Sequence, residues 1–243
     1  MTPMPKPKSV ALLSGGLDSC VALAIAIEES DVLACINVSY GQKHSREIFS
    51  ADAIAKFYGI QLLPVSIESL GFILSDLHAT ALIDKSEALP TNRRMSAMTA
   101  HVPRSYVPGR NTIMLALAQS IAEALNADNI YCGFNAVDFS GYCDCRPIFV
   151  AAWNHLAHYA TQRGYENRAI ELKAPLVDWS KARVITEGLE LKAPLHLTWS
   201  CYSGKEKPCG ECDSCIIRYS AFKSIGQEDP AGVYEVTPPY YGI

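Results

Sequence analysis

The first 65 residues of this chain alternate between two hydrophobic periods. Ser9 to Leu13, Val32 to Val38 ("VLACINV") and Leu62 to Val65 are short buried apolar runs of strand type. Between them lie two helical patterns. Asp18 to Glu28 is rich in Ala and Leu. Ser45 to Tyr58 carries Ile48, Ala51, Ala55 and Tyr58 at helical spacing, with Ser45 as N-cap and Gly59 as stop. Strand, helix, strand, helix, strand predicts a parallel sheet covered on its faces, with right-handed crossovers. Ligands in such sheets bind beyond the carboxyl ends of the strands.

The pattern weakens and then returns. Ser66 to Tyr106 has no clear period and is too long for a plain connector, so a lid or an excursion with short helices is expected. A helix follows with Asn111 as N-cap and Ile113, Leu117, Ile121 and Leu125 as its apolar stripe. Asn129 to Gly133 reads as a strand, Asn135 to Pro147 as a polar loop and Ile148 to Gly164 as a helix. Ile170 to Ala174 reads as a last strand, and Ser180 to Leu191 as a helix capped by Ser180. A final helix is expected from Ile216 onward.

Composition narrows the class of protein. With 243 residues, 49% hydrophobic and 19% charged, the chain suits one large α/β domain with a small appendage. A net charge of -4 argues against a protein that coats nucleic acid, because phosphate binding needs a basic surface. It does not argue against a small polyanion held by local charge and aligned N–H groups. No apolar run reaches the roughly 18 residues of a membrane span. The start, "MTPMPKPKSV", lacks the apolar stretch of a secretory signal, so a cytoplasmic protein is expected. Nine cysteines cannot all pair internally. Four of them crowd into Cys201 to Cys215, which in a reducing compartment points to metal before disulfide.

Four segments could carry chemistry. In "LLSGGLDS", Leu12 to Ser19, a strand end meets a helix start. Gly15 and Gly16 permit close backbone approach, and the free N–H groups of the first helical turn can converge on an oxyanion. A plain turn with Asp18 as helix cap is the competing reading. Neither G-x-x-x-x-G-K-[ST] nor G-x-G-x-x-G occurs, so Walker-type and dinucleotide sites are unsupported. In "CYSGKEKPCGECDSC", Cys201, Cys209, Cys212 and Cys215 are spaced C-x7-C-x2-C-x2-C, a closed four-thiolate set. Structural zinc is the leading reading, with Gly210 easing the backbone. An iron–sulfur cluster and a disulfide pair are the rivals.

In "AVDFSGYCDCRP", Asp138, Ser140, Tyr142, Asp144 and Arg146 follow a strand and suit a polar planar heterocycle. Cys143 and Cys145 lack metal partners and read as ordinary thiols. In "SYVPGRN", Arg110 at a helix mouth suits phosphate or carboxylate. "SYGQKHSRE" brings Tyr40, Gln42, Lys43, His44 and Arg46 to the same edge, with His44 a weak acid–base candidate.

The loop Ser14 to Ser19 resembles the S-G-G-x-D-S loop of the ATP pyrophosphatase superfamily. The ordered set "SGGLDS", "YGQKH", "VPGRN", "DFSGYCDCR", "TWSCY" and "CGECDSC" resembles the 7-cyano-7-deazaguanine synthase family nearly end to end. The resemblance implies an α/β fold of adenine nucleotide alpha hydrolase type. Its mostly parallel sheet is doubly wound and carries a small C-terminal zinc-binding helical segment. Residues 1–195 would form the nucleotide domain, 196–230 the four-cysteine subdomain, and 231–243 a tail of unknown role. It implies a ligase that uses ATP and magnesium to turn 7-carboxy-7-deazaguanine and ammonia into the nitrile, through an acyl-adenylate and an amide. Leu12, Leu13, Ser14, Gly15, Gly16, Leu17, Asp18 and Ser19 would hold ATP. Ser14, Asp18, Ser19 and Arg110 would act in catalysis, the four clustered cysteines would hold zinc, and a homodimer is expected.

The sequence departs from the family pattern at Ser39, at Cys143 in place of a proline, and in the tail after Pro230. An alternative is therefore a paralogue that passes the deazapurine to DNA or protein. A sulfur- or amide-inserting relative would favour a catalytic cysteine pair, and a nucleic-acid-binding zinc module is opposed by the acidic balance.

Overall fold

The structure is a computed structural model and describes residues 5–41, 46–84, 91–93, 102, 105–135 and 142–242. Five strands form one parallel sheet: β1 (Lys8–Leu12), β2 (Asp31–Ser39), β3 (Leu62–Ser66), β4 (Asn129–Tyr131) and β5 (Glu171–Lys173). Their order is β3-β2-β1-β4-β5, and every neighbouring pair is parallel. The chain runs outward from β1 to β3, then crosses to β4 on the other side of β1. The order reverses between β1 and β4, so a crevice opens there at the carboxyl edge.

The helices are α1 (Leu17–Glu29), α2 (Arg46–Tyr58), α3 (Glu68–Asp76), α4 (Arg110–Ala124), α5 (Pro147–Ala160), α6 (Gln162–Tyr165), α7 (Lys181–Glu190) and α8 (Asp213–Ser224). Two apolar layers enclose the sheet. One joins Leu13 and Cys35 to Val21, Leu23, Ile54, Val184, Ile185 and Phe222 from α1, α2, α7 and α8. The other joins Val10, Ile36 and Ile130 to Leu115, Ala118 and Trp153 from α4 and α5. The expected doubly wound α/β architecture is the one observed.

Local differences have local causes. Asn111 does not cap α4. Gly109 does, in the left-handed region at φ 65°, and the helix begins one residue early. Asn111 is instead buried, and its Nδ2 donates to the Asp144 carbonyl (3.0 Å) and to Cys145 Sγ (3.2 Å). The buried face of α4 is Leu115, Ala118 and Ala122 rather than the 113/117/121/125 stripe, and Leu125 is exposed. The small residues let the helix lie close to β1 and β4 and leave the larger ones at its flank.

The expected helix 148–164 is broken at Thr161, which adopts an extended conformation. Its Oγ1 donates to the Ala157 carbonyl (2.9 Å) and accepts from the Gly164 N–H (2.9 Å), starting α6. Ser180 caps α7 as expected, accepting from the Arg183 N–H at 3.2 Å. The last helix begins at Asp213, not Ile216, and so includes Cys215. Helix α3 lies inside the segment that showed no period. The expected Ser45 cap lies outside the described residues.

Candidate active site

The loop after β1 stands at the point where strand order reverses. Ser14 Oγ and Ser19 Oγ lie 3.0 Å apart, the Ser19 hydroxyl reaches the Gly16 carbonyl, and Gly16 N–H reaches Ser14 Oγ. Gly15 has φ +93°, and a Cβ there would collide with the Glu47 carbonyl oxygen and lie 2.8 Å from the Ala51 nitrogen. Only glycine lets the first turn of α2 sit this close. Gly16, not Asp18, caps α1 and makes no side-chain cap bond. The first-turn N–H groups therefore face the crevice at the positive end of the helix dipole.

Asp18 has a different partner. Both of its carboxylate oxygens accept from Lys181 Nζ at 2.8 Å, 163 residues away in sequence. Lys181 opens α7, where a cation opposes the helix dipole. That misplacement, directly after a strand and its loop, is the signal by which sequence reading could have found it. The carbonyl of Gly15 accepts from Trp199 N–H at 2.9 Å, so the loop is also tied to the segment that leads into the cysteines.

A cavity of about 370 Å³ opens over this loop, within the range of small-molecule sites. It is lined by Leu12, Leu13, Ser14, Gly16, Leu17, Asp18 and Ser19 from the β1–α1 turn. From β2 and beyond come Asn37, Tyr40 and Glu47, and from the far side Ser105, Arg110, Tyr142, Cys145 and Lys181. Arg110 sits 5.9 Å over the Tyr40 ring and 5.7 Å over the Tyr142 ring, and donates to Tyr40 Oη at 3.3 Å. The Tyr142 and Ser105 hydroxyls are 2.7 Å apart.

The polar loop expected to read a heterocycle divides. Tyr142 lines the cavity, whereas Asp144 and Arg146 do not. Asp144 is buried and accepts from the Asn111 N–H at 3.2 Å, holding the start of α4 in place of a local cap. Arg146 is exposed and donates to the Cys143 carbonyl at 3.3 Å. Asp138 and Ser140 lie outside the described residues, as do Gln42, Lys43 and His44. Burial pushes the Cys145 thiol up to about 12, so it stays protonated and is a poor nucleophile.

Glu47 was missed as a site residue. It stands in the first turn of α2 and lines the cavity. Burial pushes its carboxyl up to about 7, against the pull of the Arg110 cation.

The four clustered cysteines are buried and unpaired, with their sulfurs all within 4.8 Å of one another. Cys209 and Cys215 Sγ are 4.0 Å apart. A tetrahedral ion with metal–sulfur bonds of about 2.3 Å needs sulfurs about 3.8 Å apart, so the donor set fits a metal. Backbone N–H groups of Ser203 and Cys209 point at Cys201 Sγ, and those of Glu211 and Cys212 at Cys209 Sγ, at 3.2–3.5 Å. Such donors favour thiolates.

This knuckle also gathers distant chain. Thr91 bridges Cys212, Asn92 N–H reaches the Glu211 carbonyl at 2.8 Å, and Arg93 pairs with Asp213 beside the cavity. The tail lies over it, with Glu235 and Val236 N–H donating to Pro208 and Cys209 carbonyls. Gly210 has φ +81°, and a Cβ there would overlap the Val236 carbonyl. Gly210→Ala should therefore lower stability by about 2–4 kcal/mol, which urea unfolding would measure. An unchanged midpoint would show that the tail does not hold there.

A parallel 3-2-1-4-5 sheet with an S-G-G-L-D-S loop at its switch point defines a doubly wound α/β protein of PP-loop type. The family model for queuosine biosynthesis protein QueC matches residues 8–226. The chain is 43% identical over 222 residues to the 7-cyano-7-deazaguanine synthase of Prochlorococcus marinus (strain NATL1A), covering 91% of this chain and 95% of that one. It is 40% identical over 240 residues to that of Thermoplasma acidophilum, covering 98% and 96%. A solved NMN synthetase from Francisella tularensis is 15% identical, with a TM-score of 0.47 over 93% of this chain and 79% of that one. The chain belongs to the QueC queuosine biosynthesis family. Its curated relatives carry a synthase's name, which favours the ligase over a deazapurine-transferring paralogue. Among the described residues no helix is long and apolar enough to cross a membrane.

Proposed function

We propose that this protein is an ATP-dependent ligase that converts 7-carboxy-7-deazaguanine and ammonia into 7-cyano-7-deazaguanine. The observation that carries the reading is near end-to-end similarity to enzymes of that name. Chemistry sets what the site must do. A carboxylate oxygen is a poor leaving group until it is joined to phosphate. Coupling it to the α-phosphate of ATP gives an acyl-adenylate, ammonia then gives the amide, and a second activation removes the amide oxygen. The site must hold two anions together, which is a task of positioning and electrostatics.

In this reading the loop Leu12 to Ser19 holds the phosphates of ATP, with Ser14 and Ser19 as donors. Lys181 keeps Asp18 oriented and adds local positive charge. Arg110 clamps phosphate or carboxylate, and its contact with two tyrosine rings fixes the guanidinium plane. Tyr142 offers a ring face to the heterocycle. Asp138 and Ser140 keep their proposed substrate role, while Asp144 and Arg146 support the loop from outside the cavity. The metal at Cys201, Cys209, Cys212 and Cys215 is zinc in a structural site. Residues 196–230 fold around it as a subdomain, and 231–243 cover it. Magnesium accompanies ATP and neutralises its phosphates. Nine free thiols suit a reducing compartment such as the cytoplasm. A homodimer is proposed, with exposed Phe49, Phe57 and Phe72 available to a second copy.

The test is to incubate the protein with the acid, ammonium, ATP and magnesium and follow products by mass spectrometry. Nitrile and AMP are expected. ATP consumption that begins only when DNA or a protein acceptor is added would overturn the proposal.

A further inference from the structure

We propose that Glu47 is a catalytic residue that takes the proton of incoming ammonium and so frees ammonia to attack the activated carboxyl. The inference rests on the ligase reading above and adds the base which that reading lacks.

Ammonia at neutral pH is almost wholly ammonium, which has no lone pair. A site that uses it needs a proton acceptor beside the activated carbon. Among the described residues three carboxylates line the cavity: Asp18, Glu47 and Asp213. Asp18 is held by Lys181 through both oxygens, and Asp213 is paired with Arg93. Glu47 has no hydrogen bond to its carboxylate among the described residues; burial and the charge of Arg110 are what act on it. The other groups there are poor acceptors. Arg110 is a permanent cation. Burial raises both the Cys145 thiol and the Tyr142 phenol.

The position of Glu47 is tied to the phosphate loop. Its backbone carbonyl lies against Gly15, so the residue is packed directly on the loop. The charged and titratable groups around it are Arg110 from α4 and Tyr202, which follows the first cysteine of the knuckle. Helix α2 otherwise rests on β2, β3 and the turn Leu195–Leu197, whose His196 is exposed. Neighbouring Arg46 lies over the Trp199 ring at 4.7 Å. A carboxyl that titrates near 7 can both accept and release a proton at working pH.

The step balances. The Glu47 carboxylate takes one proton from ammonium, leaving ammonia and a neutral carboxyl. The ammonia lone pair forms the C–N bond at the acyl carbon. The bond from that carbon to the AMP oxygen breaks, and AMP leaves with the electron pair. The added nitrogen sheds a proton to solvent, and Glu47 releases its own to reset.

The test uses Glu47→Gln in the full chain with three readouts. Exchange of pyrophosphate into ATP that depends on the acid should stay within about threefold of wild type, since adenylation needs no base. Amide and nitrile formation from ammonium at pH 7 should fall on the order of 10²-fold, and the deficit should shrink as pH approaches the pKa of ammonium. Hydroxylamine, which is unprotonated at neutral pH, should still trap the adenylate as hydroxamate at near wild-type rate. Glu47→Asp should restore part of the ammonium rate. Equal loss of exchange, nitrile and hydroxamate would overturn the proposal, because it marks a positioning role. An unchanged ammonium rate would overturn it as well. If wild-type protein shows no acid-dependent exchange, the ligase reading fails, and that result is distinct from either.

Discussion

Replacing Gly15 by alanine should abolish ATP-dependent turnover and lower stability together. The residue sits at φ +93°, where an L side chain is strained, and an added Cβ would collide with backbone of α2 at Glu47 and Ala51. Backbone cannot rotate away as a side chain can, so helix or loop must shift. The shift would disturb the bond from Trp199 to the Gly15 carbonyl and the spacing of the Ser14 and Ser19 hydroxyls. A displacement of about 1 Å in such a site costs on the order of 10²-fold in rate, and the strain with overpacking costs about 2–4 kcal/mol of stability. Pyrophosphate exchange and urea unfolding on the same preparation measure both. Retained exchange would show that the loop is not the phosphate site.

Removing one cysteine of the cluster should have the largest structural effect. Cys215→Ala leaves three buried thiols and an open metal position. A structural site of this kind contributes on the order of 10 kcal/mol to local folding. Its loss should free the start of α8, the Arg93–Asp213 pair and the Thr91–Cys212 bridge together. Elemental analysis should find about one bound metal ion per wild-type chain and close to none in the variant, and limited proteolysis should cut between Cys201 and Asp213. Chelation of wild-type protein should reproduce both. Full metal content in the variant would contradict the four-thiolate assignment.

Glu47 also sets a dependence of stability on pH. Its carboxyl is raised in the folded chain, to about 7, so the fold favours the neutral form. The cost of the buried charge is absent below the unfolded pKa, grows as pH rises, and is complete above about 7. Glu47→Gln should therefore be more stable than wild type at pH 8 and equal to it near pH 4. Paired melting curves at the two values measure this, and a difference that is the same at both would refute the shift.

The sheet was legible because strand and helix periods alternate cleanly through Val65. The switch point followed, and with it the placing of Ser14 to Ser19 on the ligand edge. The cysteine knuckle was legible from two-residue gaps alone. What the sequence hid is long-range. Lys181 meets Asp18 across 163 residues; a lysine opening a helix signals that the cation has an acidic partner, but nothing local says which one. No motif singles out Glu47, and its place at the cavity depends on the close approach of α2 to Gly15. Asn111 looked like a cap, but the left-handed Gly109 before it and Asp144 from a distant turn took that task. The tail showed no period because its order comes from bonding to the knuckle, residue by residue, through Glu235 and Val236.

The most direct single measurement follows the fate of both substrates at once. The protein would be incubated with 7-carboxy-7-deazaguanine, nitrogen-15 ammonium, ATP and magnesium, and then analysed by mass spectrometry for nucleotides and deazapurines. The expected result is 7-cyano-7-deazaguanine carrying the label, with twice as much AMP as nitrile and no ADP. ADP as the nucleotide product, or an unlabelled or unconverted acid with ATP intact, would contradict it.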